Sequence, residues 1–260
     1  MNPTDEASIA RIYGKHPVRS ALKNERPVYK LWLANNLEPR ILKEFQLLAR
    51  EQGIPVQVAP PERLQKICPP GVQTQGVVAD TGSYEYLSWE DFCAQLRAKE
   101  GDPFVVLLDQ IQDPHNLGAI LRTAEAAGAD GVVITRHGGV GLTEGVAKAS
   151  AGAIENIPVI QVTNLSRALE DLQEMNIWST GFAVDAPESY FQADLKGPVA
   201  LVIGSEHKGL RPNVQKHCDR LVCIPMQGDR SLNASVAASL AMYEVVRQRL
   251  SGPSVPKSAE

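Results

Sequence analysis

The stretch FVVLLDQIQDPHNLGAILRTAEAAGADGVVIT, residues 104–135, decides the fold. FVVLLDQI is a continuous apolar run with a polar end. LGAILRTAEAAG repeats apolar positions every three or four residues, and GVVIT is a second short apolar run. Strands apolar on both faces must be covered on both faces, so strand, helix and strand in this order predict one β-α-β unit of a mostly parallel sheet. The alternation continues through helix TEGVAKASAGAI, strand PVIQVT, helix LSRALEDLQEM, strands IWSTGFAV, PVALVIG and RLVCIP, and helix SLNASVAASLAMYEVVRQRL. These segments predict an α/β domain over residues 102–250, followed by a polar tail, 251–260, expected to be disordered.

Upstream, KLWLAN, EPRILKEFQLLAREQG, PVQVA, PPERLQKIC and QGVVAD alternate short apolar runs with helical patterns. They predict a small α/β domain over residues 1–79. Residues 80–101 read as a linker carrying one acidic helix, SWEDFCAQLRAKEG, with Ser88 and Asp91 at capping-box spacing.

A chain of 260 residues with 43% hydrophobic and 22% charged residues has ordinary globular composition. No window approaches the roughly 18 apolar residues of a membrane span. The start MNPTDEAS lacks the apolar core of a signal peptide, so a cytoplasmic protein without a membrane role is expected. Cys68, Cys93, Cys218 and Cys223 form no C-x-x-C pair, and the five histidines are scattered, so no metal site is expected. The net charge of −4 hides an asymmetry: residues 1–70 carry 11 Lys and Arg against 7 Asp and Glu. Within that front, Arg11, Lys15, Arg19, Lys23, Arg26 and Lys30 recur every three or four residues. On helical turns several would share one face and engage RNA phosphates; a plain solvated helix face accounts for them equally well.

In open α/β sheets ligands bind beyond the carboxyl ends of strands. Three strand-to-helix junctions carry polar residues there. DQIQDPHNLGAILR delivers Asn116 and Arg122, LVIGSEHKGL places Gly204 and Gly209 around Glu206, and CIPMQGDRSLNAS places Ser231 and Asn233 at a helix start. Singly, each has a structural explanation: Asn116 and Ser231 as helix caps, the glycines as turn residues, Glu206 on a solvated loop.

Together these junctions resemble the signature motifs of the SpoU (TrmH-like) family of the SPOUT superfamily: N-x-G-x-x-x-R at Asn116, Gly118 and Arg122; G-x-E-x-x-G at Gly204, Glu206 and Gly209; and I-P-M at 224–226 followed by S-L-N-x-S-V-A from Ser231. The front segment IYGKHPVRSAL, residues 12–22, is similar to the opening of members that methylate large-subunit ribosomal RNA. The resemblance implies a parallel sheet with a C-terminal trefoil knot, a small RNA-binding domain ahead of it, and a homodimer formed through the catalytic domains. It implies methyl transfer from S-adenosyl-L-methionine, without a metal, to a ribose 2'-hydroxyl of a guanosine in 23S ribosomal RNA. Cofactor binding falls to Gly204, Ile224 and Leu232, and catalysis to Arg122 with Asn116, Glu206, Ser231 and Asn233. In this reading Asn116 orients the ribose or Arg122, Glu206 holds Arg122 or its loop, and Gly204 allows close approach of the cofactor. Three positions depart from the family pattern: the loop at 227–230 is one residue short, Ser239 replaces a frequent Gly, and Thr74 replaces a frequent His.

Two rivals from other classes remain. A nucleotide or nicotinamide enzyme could use HGGVG, residues 137–141, although no G-x-G-x-x-G follows the first strand. A non-catalytic RNA-binding protein of ribosome assembly would not need the intact polar set. The same methyl transfer on tRNA is the closest alternative.

Overall fold

From Ala10 the chain builds a four-stranded mixed sheet. Its elements are β1 (Ala10–Tyr13), α1 (Lys15–Lys23), β2 (Val28–Ala34), α2 (Pro39–Glu51), β3 (Val56–Ala59), α3 (Pro61–Ile67) and β4 (Val77–Thr81). This computed structural model describes residues 10–23, 27–82, 84–206, 208–228 and 231–251. The sheet order is β1-β4-β2-β3, with β4 antiparallel to both neighbours and β2 parallel to β3. Alternation along β2 sends Leu31 and Leu33 into one core with Val18, Leu22 and Phe45 of α1 and α2. Trp32 and Ala34 enter a second core with Leu64 of α3.

A second unit follows: α4 (Trp89–Ala98), β5 (Phe104–Asp109), α5 (Pro114–Ala127) and β6 (Gly131–Thr135). Next comes α6 (Glu144–Ala149) with a 3-10 turn at Ala153–Glu155. After it run β7 (Val159–Val162), α7 (Leu165–Glu174), β8 (Trp178–Phe182), β9 (Glu188–Ser189), β10 (Val199–Gly204), α8 (Pro212–His217), β11 (Arg220–Cys223) and α9 (Ala234–Leu250). The seven strands pair in the order β7-β6-β5-β10-β8-β11-β9, all parallel. All six residues of β5 are buried, as its unbroken apolar run requires. Val105 and Leu107 face a core built with Phe92, Leu169 and Leu172.

The domain boundaries differ from expectation in two places. Ser88 does cap α4, its Oγ accepting from the Asp91 amide at 3.0 Å and donating to the Asp91 carboxylate at 2.6 Å. Phe92 and Leu96 of that helix enter the core of the second unit, so residues 86–101 are part of it rather than a tether. Residues 142–156, between β6 and β7 in the chain, belong with the first unit, where Ser20 Oγ donates to the Gly152 carbonyl at 3.1 Å.

The basic stripe is divided among elements, with Lys15, Arg19 and Lys23 at four-residue spacing on α1. Arg11 lies on a strand, Lys15, Arg19 and Lys23 lie on a nine-residue helix, and Lys30 lies on another strand. Arg26 and the tail from 252 lie outside the described residues.

Candidate functional site

The three junctions converge because β10 lies directly beside β5, although nearly a hundred residues separate the two in sequence. At the first, Asp113 caps α5 by accepting from the His115 amide at 2.9 Å, and Pro114 fills the first helical position, where no amide donor is needed. Asn116 therefore lies inside the first turn and is not the cap; its residue is only 6% exposed. At the third, Asn233 caps α9, its Oδ1 accepting from the amides of Ser235 at 2.9 Å and Val236 at 3.4 Å. Ser231 is exposed two residues ahead of that cap, too early to reach the free amides of the first turn.

Glu206 ties these two ends together. Its Oε1 accepts from Asn116 Nδ2 at 2.8 Å, from the Ala234 amide at 3.3 Å and from Asn233 Nδ2 in a short contact. Asn233 Nδ2 also donates to Asn116 Oδ1 at 3.0 Å. A carboxylate at the start of a long helix is stabilised by the free amides and the helix dipole. Both ends of the Asn116 amide are engaged within this network, each by one partner. Glu206 holds Asn116 and Asn233, not Arg122; its Oε2 has no partner among the described residues.

Arg122 is exposed and has no hydrogen-bond or ionic partner among the described residues. Six residues beyond Asn116, it lies about 9 Å further along α5 and about 120° away around it. Its side chain therefore leaves the helix away from the Asn116 network. Of the departures from the family pattern, Ser239 links α9 to α5, its hydroxyl 3.2 Å from Thr123 Oγ1, and the Thr74 Oγ1 accepts from the Gly76 amide at 3.3 Å. The short loop reaches Asp229 and Arg230, which lie outside the described residues.

Gly204 is required by the chain itself. A Cβ there would sit 2.1 Å from the Gly209 carbonyl carbon and 2.4 Å from the Leu210 nitrogen. The loop between them closes on itself, Ser205 and Gly209 exchanging backbone hydrogen bonds of 3.1 and 2.9 Å. Beyond the loop, the buried Asp109 at the end of β5 accepts from the Arg211 amide at 2.8 Å and from its Nε at 2.7 Å, fixing the start of α8 against β5.

A cavity of about 350 Å³ opens beside this loop. It is lined by the three expected residues Gly204, Ile224 and Leu232 and also by Ser231. Phe182, Ala183, Val184 and Asp185, at the end of β8, complete its wall and were missed in the sequence. IWSTGFAV ends in no polar motif, and only the pairing of β8 with β10 brings it to the site. The apolar strand end followed by Asp185 was the one available signal.

In the first unit, two of the four expected RNA-binding cations are already paired. Arg11 bonds Asp80 at 2.6 Å and the Ile67 carbonyl at 2.6 Å. Arg19 forms a two-pronged pair with Glu44 at 2.6 and 3.1 Å, and its guanidinium lies 5.3 Å from the Phe45 ring centre. The Arg19 hydrogen bonds hold the Glu44 carboxyl below its usual range, and Lys23 and Arg40 add to that pull. Lys23 and Arg40 are exposed, so this face keeps excess positive charge; Lys15 is half-buried.

Among the described residues no group of His, Cys, Asp or Glu gathers as a metal site, and no helix is long and apolar enough to cross a membrane. The four cysteines are free, and burial pushes the Cys218 thiol up to about 12, leaving it protonated.

Residues 103–243 match the SpoU rRNA Methylase family, and residues 11–87 match a family described as RNA 2'-O ribose methyltransferase substrate binding. The chain is 47% identical over 239 residues, 92% of its length and 95% of the relative's, to YacO of Bacillus subtilis, described as a TrmH family tRNA/rRNA methyltransferase. Among solved structures it is similar to the SpoU methyltransferase AviRb from Streptomyces viridochromogenes in complex with AdoMet. That likeness has a TM-score of 0.80 and 27% identity, covering 96% of this chain and 95% of that one. It is also similar to an RNA 2'-O ribose methyltransferase, with a TM-score of 0.76 and 28% identity, covering 95% and 91%.

Proposed function

This chain belongs to the SpoU rRNA methylase family of RNA methyltransferases, and from that membership we propose that it methylates a ribose 2'-hydroxyl, on a guanosine of large-subunit ribosomal RNA, using S-adenosylmethionine. The observation that carries this reading is the joining of Asn116, Glu206 and Asn233 beside a cavity lined by Gly204, Ile224 and Leu232. The cavity has an apolar side at Phe182, Ile224 and Leu232, and carboxylates at Asp185 and Glu206 to offset a cationic ligand. Bound there, S-adenosylmethionine supplies an electrophilic methyl group. The protein's part is to hold the hydroxyl oxygen in line with that methyl and to manage its proton.

Arg122 is assigned the developing alkoxide. A guanidinium offers donors and no acceptor, and its pKa is above about 12, so stabilising negative charge and anchoring a phosphate suit it better than removing a proton. The Glu206 Oε2, without a partner among the described residues, is left to accept a hydrogen bond from the hydroxyl. Because Arg122 points away from its own Glu206, the reading includes a homodimer in which Arg122 serves the partner's site. Val236, Leu240 and Tyr243 form an exposed apolar stripe on α9 that supports such an interface. The implied trefoil knot belongs to the same reading, supported by β10 lying between β5 and β8. So does a cytoplasmic location, where ribosomal RNA is met. The exposed Lys23 and Arg40 of the first unit support RNA as partner. A tRNA substrate is the second reading, favoured by the name of the Bacillus relative.

Mapping 2'-O-methylation across rRNA and tRNA from cells with and without the gene tests the substrate: loss of one rRNA site is expected, and loss confined to tRNA overturns the rRNA assignment. Titration should show S-adenosylmethionine binding without metal; a chain that binds NAD instead refutes the reaction. Arg122→Ala should cut single-turnover methylation about a hundredfold or more with cofactor affinity unchanged. Arg122→Lys should not recover it as pH rises; strong pH-dependent rescue would make the residue a base.

A further inference from the structure

A second cavity, of about 380 Å³, lies between the Gln110–Asp113 turn and the Glu206 loop. It shares Ser205, Glu206, Lys208 and Ala234 with the first, so one carboxylate forms a wall of both. Polar side chains reach it from Gln110, Gln112, Asp113, Asn116 and Lys208, and Ile111 adds apolar surface.

Gln110 is unusual in three ways. Its backbone φ is +61°, a left-handed conformation that costs a glutamine energy and that persists only where the surroundings impose it. Its carboxamide is half-buried yet has no hydrogen-bond partner among the described residues. Its side chain lies over Gly138, where a Cβ would fall 2.3 Å from Nε2 and 2.9 Å from Cδ. Gly138, with φ +79°, therefore leaves the space that Gln110 fills. The rest of the glycine loop backs the same turn: Gln112 Nε2 donates to the Gly138 carbonyl at 3.2 Å, and the Val140 amide donates to the Ile111 carbonyl at 2.8 Å. HGGVG thus shapes the turn after β5, a role its sequence does not reveal.

We propose that this second cavity receives the base of the nucleotide whose ribose is methylated, with the Gln110 carboxamide contacting the polar edge of that base and Gly138 positioning the carboxamide. The inference rests on the methyl transfer assigned above and deepens it. A carboxamide presents a donor and an acceptor side by side, the pattern found on base edges, and Lys208 offers a charge for a flanking phosphate. Methyl-donor cavity, Glu206 and base cavity then follow one another in the order that donor, ribose and base require.

Gln110→Gly is the decisive variant, because glycine adopts the left-handed backbone freely while the carboxamide is lost. The full-length variant should melt at or above the wild-type temperature and bind S-adenosylmethionine unchanged, while KM for the RNA rises about tenfold or more and kcat changes far less. Gly138→Ala should raise KM in the same direction alone and add little in the Gln110→Gly background. KM and kcat of Gln110→Gly within twofold of an active wild type would overturn this inference alone, as would a full additional effect of Gly138→Ala in the double variant. A wild-type chain that methylates no RNA overturns the parent reading and this one together.

Discussion

Substituting Gly204 by alanine separates two explanations of that glycine. The added Cβ would lie 2.1 Å from the Gly209 carbonyl carbon and 2.4 Å from its oxygen, whereas carbon atoms rest about 3.5 Å or more apart. Both partners are backbone, so no side chain can rotate aside and the loop must retreat by more than an ångström. That movement breaks the two hydrogen bonds between Ser205 and Gly209, together about 1–3 kcal/mol. Overpacking costs about 1–3 kcal/mol more. A loss of about 3 kcal/mol corresponds to a melting temperature lower by roughly 6–12 °C for a domain of this size. Glu206 sits within the displaced loop, so its bonds to Asn116, Asn233 and Ala234 loosen and cofactor affinity falls as well. Thermal unfolding followed by circular dichroism, with titration of S-adenosylmethionine in parallel, measures both effects. A Gly204→Ala protein that melts with the wild type while losing only affinity would show that the glycine serves ligand approach and that chain packing is irrelevant there.

Two further predictions concern charge. Lys23→Glu with Arg40→Glu should lower RNA affinity about tenfold or more at moderate salt and flatten its salt dependence, with the first unit still folded; unchanged affinity would move the RNA elsewhere. Arg19→Glu is a poor probe of the same idea, since it would set two carboxylates against each other at Glu44 and destabilise the unit. Glu244 is 5% exposed and bonded by Arg247 at 2.6 and 2.8 Å and by Gln248 at 2.8 Å. The Arg247 hydrogen bonds hold its carboxyl below the usual range. A folded-state value below the unfolded one stabilises above the unfolded pKa, about 4.3, and the gain disappears as pH falls through the folded value. Glu244→Gln should therefore melt earlier than wild type at pH 7, and the gap should close in strong acid; a gap independent of pH would remove the ion pair from stability.

The sequence by itself determined the elements that depend on neighbours a few positions away. The apolar run at 104–108, the helical spacing after Asn116 and the Ser88 cap each involve side chains within one or two turns, so their outcome is set locally. The three polar junctions were legible for the same reason, since each follows a strand of obvious character. Caps were less secure: Asp113 took the role open to Asn116, and Asn233 the role open to Ser231, because position relative to the first free amides decides between adjacent candidates. ARIY could not be told from a helical stripe, because its strand character comes from pairing with β4. Tertiary structure alone decided that β10 lies between β5 and β8, which brings Phe182–Asp185 to the cavity and joins Asn116, Glu206 and Asn233. It also decided that Arg11 and Arg19 pair with Asp80 and Glu44 while Lys23 stays exposed. A residue's charge is written in the sequence; whether that charge is neutralised depends on a partner tens of residues away, and only folding supplies the partner.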